Sequence, residues 1–149
     1  MRLYRITRSL YARDLGGTGG LYEPGRWHTK GTLILYSSEH VSLAKLEVLA
    51  NATETPENVS LVTLNVPDTA SLRVIDITDL PVGWDQLPYH PDLARRTLSW
   101  ITEQRHWLMR VPSVHSPVEH NYLLNPLHPE HQTLKIISIE PHPFDPRLK

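Results

Sequence analysis

The sequence predicts a mixed α+β domain, because short β-branched or aromatic runs alternate with two segments whose apolar residues recur at helical spacing. The runs are Leu3 to Thr7, Thr32 to Ser37, Leu61 to Val66, Leu72 to Ile77, the start of the 107–132 segment and Leu134 to Glu140. The helical segments are 40–51 and 91–104. At 149 residues the chain fits one domain spanning 1–149, with no spare length for a second.

The first strand, LYRIT, sets Leu3, Arg5 and Thr7 on one face and Tyr4 and Ile6 on the other. Five of the seven glycines then gather between residues 15 and 25. A glycine cluster cradles phosphate when it joins a strand to a helix N-terminus, but this one leads into Arg26, Trp27 and another strand. The phosphate-loop and dinucleotide readings therefore fail on context, and a loop whose backbone can approach a ligand remains.

After Gly31, TLILYS reads as a strand, and Ser37 and Ser38 are both competent N-caps for the helix that follows. Leu43, Leu46 and Ala50 mark its apolar stripe, and about 100° per residue places Glu47 between Leu43, Ala44 and Ala50. A carboxylate on that side costs several kcal/mol to bury unless something pairs with it. Glu47 is thus either half of a core salt bridge, a residue on a helix edge turned to solvent, or a functional group.

LVTLNV and LRVIDI, separated by PDTAS, read as neighbouring strands or a hairpin. The proline-punctuated stretch DLPVGWDQLPYHP is a loop able to cover a site. Pro91 and Asp92 suit a helix start, with Leu93, Thr97, Trp100, Ile101 and Gln104 on one face. The chain leaves regular structure at Pro112, so Ser113 is either a turn residue or a site residue. Asn121 and Asn125 flank Tyr122 and two leucines. LKIISIE is the clearest strand, and Phe144 alone anchors the tail.

Composition removes several functions. The 15 basic and 16 acidic residues give a formal charge of −1 without runs of one sign, so nothing supplies the phosphate neutralisation of a nucleic-acid-coating protein. With no cysteine there is no disulfide framework or thiolate nucleophile. No signal peptide or membrane-length apolar run is present, which reads as a soluble cytoplasmic protein with no membrane contact. Among nine histidines, His115 and His120 lie five apart and His128 and His131 three apart, without a HExxH pattern, so no metal site is expected. No role is evident for the others, His40 included. No GxSxG elbow marks a serine hydrolase, and Glu47 has no second acid nearby for glycosidase chemistry. A small ribonuclease could draw on the Arg, His and Glu present, although no spacing favours it.

Arginines, an apolar-flanked glutamate and aromatics in a mixed domain suit a ligand with a pyrophosphate and a planar ring. NAD fits that description, with the carboxylate stabilising a cationic sugar centre.

The chain resembles the RES domain family, the toxin half of RES–Xre toxin–antitoxin systems. The matching runs are LYRIT, GRW at 25–27, the Gly31-to-Tyr36 strand with SLAKLE at 42–47, LPVGW at 80–84, VPS at 111–113 and NYLLNPLHP at 121–129. They keep the family's order and cover nearly the whole chain. One departure is EQRH ahead of Trp107 and Leu108, where the family often carries a glycine.

The resemblance implies an ADP-ribosyltransferase-like split mixed β-sheet with a few flanking helices around an NAD cleft. It maps the family's arginine, glutamate and serine onto Arg26, Glu47 and Ser113, with Arg5, Tyr36 and Asn121 as further pocket positions. It implies a toxin that breaks the nicotinamide–ribose bond of NAD by phosphorolysis, with inorganic phosphate as co-substrate, or by hydrolysis; some members ADP-ribosylate a protein. On that expectation Arg5 and Arg26 hold the pyrophosphate, Tyr36 packs on the nicotinamide or its ribose, and Ser113 positions the amide or a phosphate oxygen. The expected partner is an Xre-like helix-turn-helix antitoxin that occludes the active site and itself binds DNA, so the toxin needs no nucleic-acid contact. Oligomeric state within the complex stays open, a homo-oligomer included. The competing class is a non-catalytic module that only binds a partner's tail.

Overall fold

The computed structural model describes Met1 to Lys149. Its strands are β1 (Arg2–Arg8), β2 (Leu35–Ser38), β3 (Val59–Asn65), β4 (Leu72–Val74), β5 (Leu108–Pro112), β6 (His120–Leu124) and β7 (Lys135–Pro141). The helices are α1 (Val41–Asn51) and α2 (Pro91–Glu103), joined by short 3-10 turns elsewhere. All strands lie in one mixed sheet of order β4-β5-β6-β2-β1-β3-β7, parallel only between β4 and β5.

The sheet is split at its middle. β1 pairs with β3 along its whole length, from Arg2 opposite Asn65 to Arg8 opposite Val59, yet meets β2 in register only at Tyr4 opposite Ser38. The two halves diverge there, and α1 packs over β1 and β2 at the seam. This is the expected split mixed sheet with its few helices.

Period-two alternation then assigns the faces. Leu3, Leu35, Val62, Leu64, Leu108 and Leu124 point to one side, where Ala12, Trp107 and Leu134 complete the largest apolar cluster. Met109, Val111 and Leu123 point to the other and pack with Trp27, Trp84 and α2 residues Leu93 and Trp100. Beside them Ile6, Ala44, Val59 and Phe144 form a third cluster, so the tail is anchored as expected. The Trp107 indole N–H donates to His131 Nδ1 at 3.0 Å. His131 Nε2 lies 2.7 Å from the Leu15 carbonyl, which can only accept, so this ring is the neutral Nε2–H tautomer. Burial lowers its pKa.

Four expectations are corrected. The strand expected from Thr32 begins at Leu35, because the amides of Gly31 and Thr32 donate to Gly20 O and that of Ile34 to Gly17 O. The preceding residues thus belong to the glycine loop. Ser37 and Ser38 are not N-caps: both are buried in β2, and α1 starts after His40 without a side-chain cap. On α1 the buried residues are Leu43 and Ala44, while Leu46 and Ala50 are exposed, so Glu47 sits on the edge of the buried face. Finally, β3 and β4 are not neighbours. α2 carries the chain back so that β4 lies parallel to β5 at the far edge, the helical crossover that a parallel pair requires.

Gln104, within the EQRH stretch, ends α2 at φ 52° in the left-handed region. A glycine adopts that conformation freely, whereas a residue with a Cβ pays on the order of 1 kcal/mol. Gln104→Gly should therefore raise stability by about 0.5–1 kcal/mol, seen in thermal unfolding as a gain of roughly 2–4 °C.

Candidate active site

Four elements converge on the Glu47 carboxylate. α1 delivers Glu47 to the seam of the split sheet, the end of β5 delivers Ser113, the start of β6 delivers Asn121, and β2 places Ser38 beside Asn121, its register partner. Asn121 Nδ2 donates to Glu47 Oε1 at 2.6 Å, and Ser113 Oγ donates to the same oxygen at 2.9 Å. Ser38 Oγ in turn donates to Asn121 Oδ1 at 2.6 Å. The Asn121 amide is thereby oriented, oxygen to the hydroxyl and nitrogen to the carboxylate. The Ser113 hydroxyl also accepts the His115 main-chain N–H at 3.1 Å.

One oxygen of Glu47 is therefore fixed by two donors, which offset the desolvation of a carboxylate whose side chain is 32% exposed. The other, Oε2, has only the His115 ring near it, with Nε2 at 3.7 Å. Ser113 is 0% exposed, and its hydroxyl is already committed to Glu47 and His115. In this arrangement the Ser113 hydroxyl buttresses Glu47.

Tyr36 and Ser38 share a face of β2, and Tyr36 packs against the cluster containing Trp27 and Trp84. His28 Nε2 lies 2.8 Å from the Glu23 carbonyl and must donate to it. Its Nδ1 is then the acceptor for the Tyr36 hydroxyl, 2.6 Å away. Burial holds the His28 pKa below its ordinary value and drives that of Tyr36 far up, with Tyr89 and Glu47 adding to the latter by their charge. Tyr89 and Glu47 thus each lie within electrostatic reach of Tyr36. Gly25 is required here: a Cβ on it would come within 2.7 Å of the His28 ring and 3.1 Å of the Tyr36 hydroxyl.

Arg26 Nη1 donates to the carbonyls of Trp84 and Gln86, each at 2.9 Å, and its guanidinium lies 4.9 Å from the Tyr89 ring centroid. The proline-punctuated loop is thereby fastened through Arg26 as its clasp. Arg5 is placed differently. It pairs with Val62 in register, on the face opposite Tyr4 and Ser38, and Nη1 donates to the carbonyls of Asp14 and Tyr11 at 3.1 and 3.5 Å. Burial lowers its pKa and the Asp14 charge partly offsets this. No hydrogen bond or ion pair joins Arg5 to the Glu47 network.

Ser38, His28, Tyr89 and His115 complete the surroundings and were not singled out from sequence as site residues. Ser38 was legible in principle, since alternation from Tyr36 puts it on the same face once the strand extends to 38. A cleft of about 240 Å³ between residues 28–32 and α2 touches the site only through His28. No three His, Asp or Glu side chains are grouped so as to hold a metal ion, and no helix is long and apolar enough to cross a membrane.

The RES domain model matches residues 2–145. This chain belongs to the RES domain family. Relatives of this RES domain include the Prs ADP-ribosylating toxin of Sphingobium sp. (strain YBL2), 36% identical over 99% of this chain and 94% of that protein. The Toxin Res of Pseudomonas putida is 38% identical over 99% of both chains. In structure the RES domain resembles a chain of the M. tuberculosis MbcT–MbcA toxin–antitoxin complex, with TM-score 0.66 at 17% identity, covering 99% of this chain and 85% of that one. This likeness carries the fold.

Buried His28 and half-buried His131 give the RES domain a pH dependence. His28 and His131 have folded pKa values lowered from the ordinary value near 6.5, so each binds its proton more readily when the chain is unfolded. The stability from their neutral forms is complete above about pH 6.5 and is lost as pH falls toward the folded values, at no more than about 1.4 kcal/mol per pH unit for each. Thermal midpoints should accordingly drop between about pH 7 and about pH 5.5, and His131→Gln should flatten that slope.

A second expectation concerns the bracket around Glu47. Asn121→Ala removes one of two donors to a partly buried carboxylate and should cost about 1–3 kcal/mol in denaturant unfolding, against under about 1 kcal/mol for Ser38→Ala, which leaves both donors in place.

Proposed function

We propose that this chain is the toxin of a toxin–antitoxin pair and that it consumes NAD by breaking the nicotinamide–ribose bond. The observation that carries the reading is the Glu47 carboxylate, one oxygen gripped by Ser113 and Asn121 and the other without a hydrogen-bond donor, with only the His115 ring near it at 3.7 Å. A carboxylate held in this way is a preorganised stabiliser of positive charge. The names of the relatives support the class, one being an ADP-ribosylating toxin and another Toxin Res.

In the proposed reaction the bond between ribose C1′ and the nicotinamide nitrogen breaks. Its electron pair leaves with nicotinamide, which departs neutral, so no acid catalyst is needed. The ribose becomes oxocarbenium-like, and Glu47 stabilises it while the ring aromatics of Tyr36 and Tyr89 wall the site. Arg26 supplies the cation for the pyrophosphate, its guanidinium held by Trp84 and Gln86 so that little side-chain freedom is lost on binding. Ser113 and Asn121 act through Glu47 by holding its orientation. Arg5 braces the Tyr11–Asp14 segment from the other face of β1.

An oxygen of phosphate or water then forms the new bond to C1′ and loses its proton to solvent or a nearby base. Transfer to a protein side chain is the second reading, favoured by the name of the Sphingobium relative. An antitoxin covering the Glu47 site is the proposed partner, as the solved structural neighbour is a toxin–antitoxin complex.

Incubation of the purified protein with NAD should release nicotinamide, measured by chromatography. Products formed with and without phosphate, or in the presence of cell extract, identify the acceptor. Glu47→Gln keeps shape and loses charge, so turnover should fall at least about 100-fold with little change in unfolding midpoint. NAD that stays intact with wild-type protein in all three conditions would overturn the enzymatic reading and leave the partner-binding module. RNA cleavage that persists after NAD is removed would instead mark a ribonuclease.

A further inference from the structure

Behind the Glu47 site, on the opposite face of the sheet, the ends of β4, β5 and β6 enclose a cleft of about 170 Å³ whose lining includes Val74, Asp76, Ile77, Arg110, Pro112 and His120. The register decides the face. Arg110 lies opposite Tyr122 and Pro112 opposite His120, so these side chains share the side of Leu108 and Leu124, whereas Val111 and Asn121 face the Glu47 side.

Arg110 is the unexplained group. Its Nε is buried without a hydrogen-bond partner, and its guanidinium enters none of the arginine ion pairs of the chain. An arginine N–H withdrawn from water and left unpaired costs about 1–3 kcal/mol. The one acid in the lining is Asp76, and its Oδ1 is taken by the Thr78 N–H at 2.9 Å and the Thr78 hydroxyl at 2.8 Å. On the other side, the His120 main chain donates to Glu39 Oε1 at 3.0 Å and ring Nδ1 lies 3.5 Å from the same oxygen. With Nδ1 facing the Glu39 carboxylate, the His120 Nε2 makes no hydrogen bond and becomes a donor in the imidazolium form. Two cationic or donor groups on adjacent strands thus line one cleft with unused hydrogen-bonding capacity, against the charge of Asp76.

We infer that this cleft binds a tetrahedral oxyanion, a sulfate or a phosphoryl group, with the Arg110 guanidinium as the charged fork and His120 as the second donor. A planar guanidinium presents paired N–H groups that match two oxygens of such an anion, and a partly desolvated one strengthens the contact. The volume holds several waters or one ion of that size. The position has a consequence for the site in front: Pro112 runs directly into Ser113, and His120 into Asn121, the two donors that fix Glu47. Occupancy behind the sheet therefore bears on the bracket that holds the carboxylate.

The test is an NMR titration of the full chain with sodium sulfate against sodium chloride at equal ionic strength, following backbone amides and arginine Nε–H signals. Sulfate should give saturable shifts at Ile75, Asp76, Arg110 and His120, extending to Ser113 and Asn121; phosphate should match it, and acetate should bind at least tenfold more weakly. Arg110→Gln should abolish saturation. Asp76→Asn keeps a carbonyl oxygen for Thr78 while removing the opposing charge, so it should tighten binding several-fold. Shifts that chloride reproduces, saturation that survives Arg110→Gln, acetate binding as tight as sulfate, or weaker binding in Asp76→Asn would each overturn the assignment. If Arg110→Gln does not fold, the ion series and the direction of the Asp76→Asn change decide by themselves.

Discussion

A partly buried carboxylate must find hydrogen-bond donors or be expelled to water, and the Glu47 side of this fold is arranged around that requirement. The donors cannot come from α1, whose own amides are committed to the helix. They come from strand ends: Ser113 where β5 stops at Pro112, Asn121 where β6 begins, and Ser38 behind Asn121 on β2. The split between β2 and β1 lets α1 settle low enough to bring Glu47 to those ends. Filling one oxygen twice leaves the other oxygen as the chemically available one.

A second layer of the same logic surrounds it. His28 is held neutral between Glu23 and Tyr36, and Arg26 fastens the 84–89 loop through two carbonyls and the Tyr89 ring. The rigid aromatic wall and the clasped loop reduce what a ligand would have to order on binding. Gly25 is the small residue that permits His28 and Tyr36 to close on each other. The hydrogen bonds in these contacts are directional: each carbonyl receives a donor, and each His28 ring nitrogen has one role.

The strands with strong patterning were legible, as LYRIT, LVTLNV and LKIISIE show, and so was the helix from Pro91 with its buried Leu93, Thr97 and Trp100. Neighbour relations were not. PDTAS reads as a hairpin turn, yet residues 66–71 take the chain from β3 to β4 at the opposite edge, because short connections do not reveal which strand the next one will pair with. The glycine-loop carbonyls of Gly17 and Gly20 likewise claim the amides of residues 31 to 34, shortening a strand whose side-chain pattern is regular. Within the site, Glu47 announced itself by periodicity, but Ser38 passed as a helix cap. Strand alternation places Arg5 on the opposite face, a distinction that depends on pairing rather than on residue type.

By itself the sequence determined the fold class, the apolar faces, the presence of an ill-placed glutamate on α1 and the family resemblance, since propensity, periodicity and motif order are local properties. Only the tertiary structure decided what Glu47 touches, because Ser113 and Asn121 lie 66 and 74 residues away along the chain. It also decided that Ser113 faces Glu47 and not open solvent, and that Arg110 stands unpaired behind the sheet. Hydrogen bonds are short-ranged and directional, so partners at such separations exist only once sheet order and register have brought the strand ends together.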